Sequence, residues 1–142
     1  MIIALFACLN GGEPLAVVAE TPAIPTVQYN RDVRPILSEK CFHCHGPDSG
    51  ARQAELRLDE YGAATADRGG HRAILPGEPV RSELVRRVSS KNDDERMPPP
   101  DSGPALAADE IDILRRWIKN GAEYQTHWSF ISPKRPALPK VA

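Results

Sequence analysis

Aromatic residues are scarce in this 142-residue chain, where Phe, Trp and Tyr together make up 6%. So few rings leave a domain of this size short of material for a self-sufficient core. An excess of either charge sign is missing too. Charged residues are 26% of the chain but the formal net charge is -1, so no strong field points toward nucleic acid or an anionic membrane. Long apolar runs are absent, and the N-terminal stretch Met1 to Leu9 is too short to span a bilayer. No internal repeat is visible. Sulfur is rare, with 3 Cys and 2 Met, one of them the initiator. Pro (14) and Gly (10) are plentiful instead, which argues for a loop-rich chain rather than long regular elements. The length suits one ordinary domain with something left over at each end.

Two of the three Cys stand in Cys41-Phe42-His43-Cys44-His45. The pattern C-x-x-C-H is the attachment signature of a c-type haem. Two thiols add across the porphyrin vinyl groups as thioethers, and the adjacent imidazole takes one axial face of the iron. The spacing serves that chemistry, because two intervening residues leave both Cys on one side of a helical turn. From the chain's own 3 Cys and 4 His, the motif is expected by chance roughly 0.002 times. Two other readings compete. A closed zinc site needs four ligands, and Cys41, Cys44 and a neighbouring His supply three, leaving distant His71 as the fourth. A thioredoxin-type dithiol belongs beside a βαβ pattern, and none is visible. One covalent haem fits best, with Cys41 and Cys44 as thioether anchors and His45 as the proximal iron ligand. It would also add the large apolar body that the composition lacks. A single motif excludes a multihaem array.

Along the chain, residues 1–19 read as a signal peptide without a basic n-region, with Val17-Val18-Ala19 before the cut. Leu5-Phe6-Ala7-Cys8 resembles a lipobox, with Phe6 a poor fit, so a lipid anchor at Cys8 and an unstructured tail are the other readings of this end. Residues 20–28 form a linker. The pattern Val33, Ile36, Leu37, Cys41 predicts an amphipathic helix from about Asn30 to Cys44, capped by Asn30 or Asp32 and ended by Gly46-Pro47. Residues 52–96 carry nine basic and nine acidic groups, a balance that predicts a solvated surface. Within them Pro79 to Ser89 reads as a short helix with Leu84, Val85 and Val88 inward, and His71 as a surface or supporting residue in a Gly-marked loop. A last helix is predicted over Ala108 to Asn120, with Gly121 as its C′ residue and Ile111, Leu114 and Ile118 as its core stripe. After Glu123, residues 124–142 read as a linker in which Pro133, Pro136 and Pro139 share one edge of a polyproline II helix. His127 is a weak alternative iron ligand there.

These segments together resemble the planctomycete-type cytochrome c domain, over about residues 29–130. The resemblance rests on Tyr29 to Leu37, Cys41 to Asp48, Leu56-Arg57-Leu58-Asp59, Gly77-Glu78-Pro79, Ser82 to Val88, Arg96-Met97-Pro98-Pro99-Pro100, and Leu114-Arg115-Arg116-Trp117-Ile118. It implies an all-α, cytochrome c-like fold of small helices and long loops wrapped around one covalently bound haem, occupying residues 29–123. It implies that the Ile111/Leu114/Ile118 face meets the Val33/Ile36/Leu37 face. It also implies that Met97 is the distal iron ligand. The family usually has Thr-Pro where this chain has Ala107-Ala108, so a hydroxyl cap worth roughly 1 kcal/mol is missing from the last helix.

With both axial positions filled by protein, the expected function is outer-sphere electron transfer rather than catalysis. Hydrogen bonding to His45 Nδ1 would tune the potential, with the carbonyls of Gly46, Pro47 and Pro76 as candidates. Unidentified redox proteins would be the partners, in the periplasm or another extracytoplasmic space, and a fused downstream domain is the other expectation that the resemblance carries. The alternatives are a haem sensor or gas-binding module with an exchangeable distal ligand, and a zinc-stabilised interaction module.

Overall fold

The computed structural model describes residues 26–135. The readings of residues 1–25 and of the proline repeat past Arg135 fall outside them. The described chain is helical and contains no strand. It opens with a π-helical turn, Tyr29–Val33, that runs into α1 (Arg34–Lys40), and α2 (Phe42–His45) follows after a break at Cys41. α3 (Tyr61–Thr65), a 3-10 turn (Pro79–Arg81), α4 (Glu83–Val88), α5 (Ala108–Lys119) and a final 3-10 turn (Trp128–Phe130) complete it.

The single helix expected from Asn30 to Cys44 is thus segmented. Cys41 departs from helical dihedrals (φ -129, ψ -40), and the first turn is wound as a π-helix. Pro35 sits in the first turn of α1, where its missing N–H is no loss. Neither expected cap accepts a hydrogen bond from the N–H groups of the following turn. The Asp32 carboxylate accepts from Gln28 N–H at 2.7 Å, and Asn30 is engaged far along the chain, with Gln125 and Thr126.

α5 is the longest element and follows the sequence pattern closely. Its N-terminal end has no hydroxyl cap, but the Glu110 carboxylate accepts from Ala107 N–H at 2.7 Å, half of a capping box. Asp112 and Arg116 pair along the outer face at 2.8 Å. The helix stops in a Schellman arrangement: Ala122 N–H donates to Trp117 C=O at 3.0 Å and Gly121 N–H to Ile118 C=O at 3.0 Å. Gly121 takes φ 102, a conformation that glycine adopts without steric cost.

The core forms where α5 rests on the π-helical turn, α4 and the 79–81 turn. Val33, Leu37, Leu114 and Ile118 are fully buried there, with Trp117 and Ile74 beside them. The first and last helical segments therefore meet as the resemblance implies, chiefly through the opening turn. Tyr29, Trp117 and Tyr124 form a ring cluster, with Tyr29 and Tyr124 centroids 4.6 Å apart. Trp117 Nε1–H donates to Glu123 C=O at 2.9 Å and the Tyr124 hydroxyl to Leu58 C=O at 2.9 Å, so both polar tips are satisfied. Chain past Glu123 belongs to this packing as far as Thr126.

Loops are held by backbone bonds rather than by a sheet. Leu58 N–H donates to His45 C=O and Gln53 N–H to Cys44 C=O, both at 2.8 Å, which ties the chain after the motif back onto it. Ser82 is buried and joins the 75–82 turn, accepting from Leu75 N–H at 2.8 Å and donating to Glu78 C=O at 3.0 Å.

Candidate haem site

α1 delivers Cys41 at its C-terminal end, and the one-turn α2 does the rest. Cys44 N–H and His45 N–H both donate to Cys41 C=O, at 3.1 and 2.8 Å. That closed turn puts residues i, i+3 and i+4 on one face. Gly46 follows in an extended conformation (φ -122), tight against the turn: a Cβ there would lie 2.3 Å from Phe42 O. Only glycine lets the chain leave the motif so closely. This adds a packing reason to the helix-stop role the sequence predicts for it.

Cys41, Cys44 and His45 face a cavity of about 870 Å³, in the upper part of the range for ligand pockets of about 300–1,000 Å³. Met97 lines the same cavity from the loop after α4, where its N–H donates to Arg87 C=O at 3.2 Å. Pro98 and Pro99 continue that wall. Leu56, Leu58, Ala73, Leu84 and Val88 give the interior its apolar surface. All four expected site residues are therefore brought to one cavity, though they span residues 41 to 97.

The donor chemistry suits a haem. Both Cys are free thiols, and burial pushes Cys41 up to about 12, with Cys44 adding to the effect. A redox dithiol or a zinc thiolate wants the opposite shift. Burial lowers the pKa of His45, which keeps its imidazole neutral, the form that can ligate iron. His45 Nδ1 is buried and has no hydrogen-bond partner. None of the three carbonyls expected to meet it does so, and two of them accept from Arg52 instead, Gly46 C=O at 3.3 Å and Pro47 C=O at 3.0 Å. No group of three or more His, Cys, Asp or Glu converges on a metal position among the described residues, so the ligand set of a closed zinc site is not assembled there.

Of the three other His, His43 lies within the motif and lines the same cavity, while the two distant ones separate. His71 is exposed at the rim of this cavity, as a surface or supporting residue would be. His127 lies at a second cavity of about 350 Å³ with Tyr29, Phe42, Tyr61 and Tyr124, so it does not share a cavity with His45.

The stretch 52–96 differs most from expectation. Its balanced charges predict a solvated surface apart from the inward Leu84 and Val88, yet Gln53, Leu56, Leu58, Arg68, Ala73 and Arg87 line the cavity beside those two. Its cations lie near His45 as well, since Arg68 and Arg87 both act on it. The sequence signal that could have found this wall is the apolar set Leu56, Leu58 and Ala73, set among charges in a chain with few apolar residues to spare.

No helix among the described residues is long and apolar enough to cross a membrane. No curated protein and no solved structure matches the chain significantly. Residues 41–101, from the first motif cysteine to just past the proline wall, match the family described as Planctomycete cytochrome C. That span contains the motif, Met97 and every cavity wall between them, so the segment that resembles a planctomycete-type cytochrome c domain is the one that builds the cavity.

Proposed function

We propose that this chain is a monohaem c-type cytochrome whose work is outer-sphere electron transfer. The observation that supports it best is the sharing of one apolar cavity by Cys41, Cys44, His45 and Met97. Bound haem c would supply a one-electron ferric/ferrous couple. Cys41 and Cys44 would hold it covalently, His45 would ligate the iron through a neutral imidazole, and Met97 would supply a thioether as the second protein ligand. A thioether there favours ferrous iron more than a second imidazole would, which raises the potential. The apolar walls exclude water, which raises it further. With His45 and Met97 both engaged on the iron, a substrate would find no site on the metal, so the chain would carry electrons rather than catalyse a reaction. Its working place is outside the cytoplasm, where c-type haem is attached, and its partners are redox proteins that come close to the haem edge.

The test is expression with the haem maturation machinery. A denaturing gel should show haem peroxidase staining on the protein band, abolished in a Cys41→Ala, Cys44→Ala double variant. A colourless band holding one zinc would overturn the proposal. Ferric wild-type protein should show the weak near-infrared sulfur-to-iron charge-transfer band, and reduced protein should resist carbon monoxide. Met97→Ala should lose the band and admit carbon monoxide. If the variant keeps both wild-type behaviours, Met97 is not the ligand. Carbon monoxide binding by the wild type would favour the gas-binding reading instead.

A further inference from the structure

Haem carries two propionate carboxylates, and a cavity that takes haem must deal with that charge. Three fixed cations line this cavity, Lys40, Arg68 and Arg87, against two carboxylates, Glu39 and Glu83. Lys40 pairs with Glu39 at 2.7 Å and Arg87 with Glu83 at 3.0 Å. Arg68 has no carboxylate partner among the described residues; its guanidinium donates only to the carbonyls of Ala54 and Glu55. We propose that Arg68 anchors a haem propionate in this cavity, an inference that rests on the haem reading above.

The surroundings hold Arg68 ready for that role. Its N–H donates to His71 C=O at 2.9 Å across the Gly69-Gly70 turn. The Asp67 carboxylate fixes that turn by accepting from Gly69 N–H at 3.0 Å and Gly70 N–H at 2.9 Å. At the far end of the side chain, Ala54 and Glu55 both adopt left-handed conformations (φ 51 and 53), and their carbonyls accept from the guanidinium. A guanidinium offers five N–H donors in a planar fork, and two carbonyl contacts leave enough of them to meet a carboxylate. Such a pair is charge-assisted and gains strength where the cavity wall is apolar. Neutralising a propionate beside the iron also bears on the redox couple, because an uncompensated anion there favours ferric iron.

The experiment uses holoprotein, wild type beside Arg68→Gln and Arg68→Lys. Resonance Raman reads the haem propionate bending mode, and a redox titration at one pH reads the midpoint potential. Arg68→Gln should displace the mode and shift the ferric/ferrous equilibrium at least threefold toward ferric, about 30 mV for a one-electron couple. Arg68→Lys should keep the potential near wild type, because the charge remains, yet displace the mode, because the fork is gone. An unmoved mode in both variants overturns the assignment, even if melting temperatures fall, and leaves Arg68 as a clasp for residues 54 and 55 only. Should Arg68→Gln fail to fold, the mode in Arg68→Lys decides alone. Wild-type protein without covalent haem on the denaturing gel would remove the haem reading itself, a result obtained before any Arg68 variant is made.

Discussion

Gly46 offers the sharpest test of how the motif is held. Its φ of -122 is open to any residue, so alanine would bring no backbone penalty of its own. The penalty is contact. A Cβ would lie 2.3 Å from Phe42 O and 2.9 Å from Phe42 Cβ, and both belong to the turn that presents Cys44 and His45. An ordinary carbon-to-oxygen contact needs about 1 Å more, so either Gly46 or α2 must move by that amount. Overpacking of this kind costs about 1–3 kcal/mol, and 2 kcal/mol corresponds to a fall of roughly 10 °C or more in Tm for a domain of this size. Gly62 is the matched control. It lies within α3 with nothing within 4 Å of its would-be Cβ, so alanine there should stabilise by up to about 1 kcal/mol. Thermal unfolding of the two holoprotein variants, followed by far-UV and Soret circular dichroism, measures both signs. Equal Tm values for Gly46→Ala and wild type, with an unchanged Soret signal, would refute the argument that Gly46 packs against the motif.

Other predictions concern the walls of the site. Tyr124→Phe leaves the Leu58 carbonyl without its hydroxyl donor, and Leu58 is buried, so urea unfolding should show a loss of about 1–2 kcal/mol with an unchanged m-value. Glu83 is held at about 2, first by its hydrogen bond from Arg86 and then by Arg87, below the roughly 4.3 of an unstructured glutamate. A carboxylate lowered on folding stabilises the protein above its unfolded pKa, and that contribution fades as pH falls from about 5 through 2. Melting curves across that window should show the loss, and Glu83→Gln should flatten the part of the slope due to this group.

The legible part of the site was the part whose chemistry is local. Haem attachment of the c type needs two Cys and a His within one turn, so the spacing of Cys41, Cys44 and His45 alone pointed to the proposed role. Met97 was legible only through the family resemblance, since a lone Met before prolines reads by itself as packing, and the fold brings it to the same cavity. The wall between them was not legible. Charge balance reports which side-chain tips meet water; it does not report where the backbone between them runs. Leu58 reaches the cavity because its N–H bonds to His45 C=O, a contact that no periodicity records. The break at Cys41 was hidden for a related reason, since apolar residues at i, i+3, i+4 and i+8 fit a kinked helix as well as a straight one. The end of α5 was legible down to the residue, because the Schellman turn asks for a glycine at one position and Gly121 supplies it.

The contacts made by Asn30 carry a kinetic consequence. Its N–H donates to Gln125 Oε1 at 2.9 Å, and its Nδ2 to Thr126 C=O at 2.7 Å, so bonds across separations of 95 and 96 residues join the first turn to the stretch that follows α5. Closing a loop that long costs about 4 kcal/mol of chain entropy before any constant is added. Helices of four to twelve residues form quickly, but this closure cannot be assembled from neighbours in sequence. The domain therefore has the secondary structure of a fast folder and the topology of a slower one. In stopped-flow refolding, the ring cluster around Trp117 should report its burial after the helical signal has already risen.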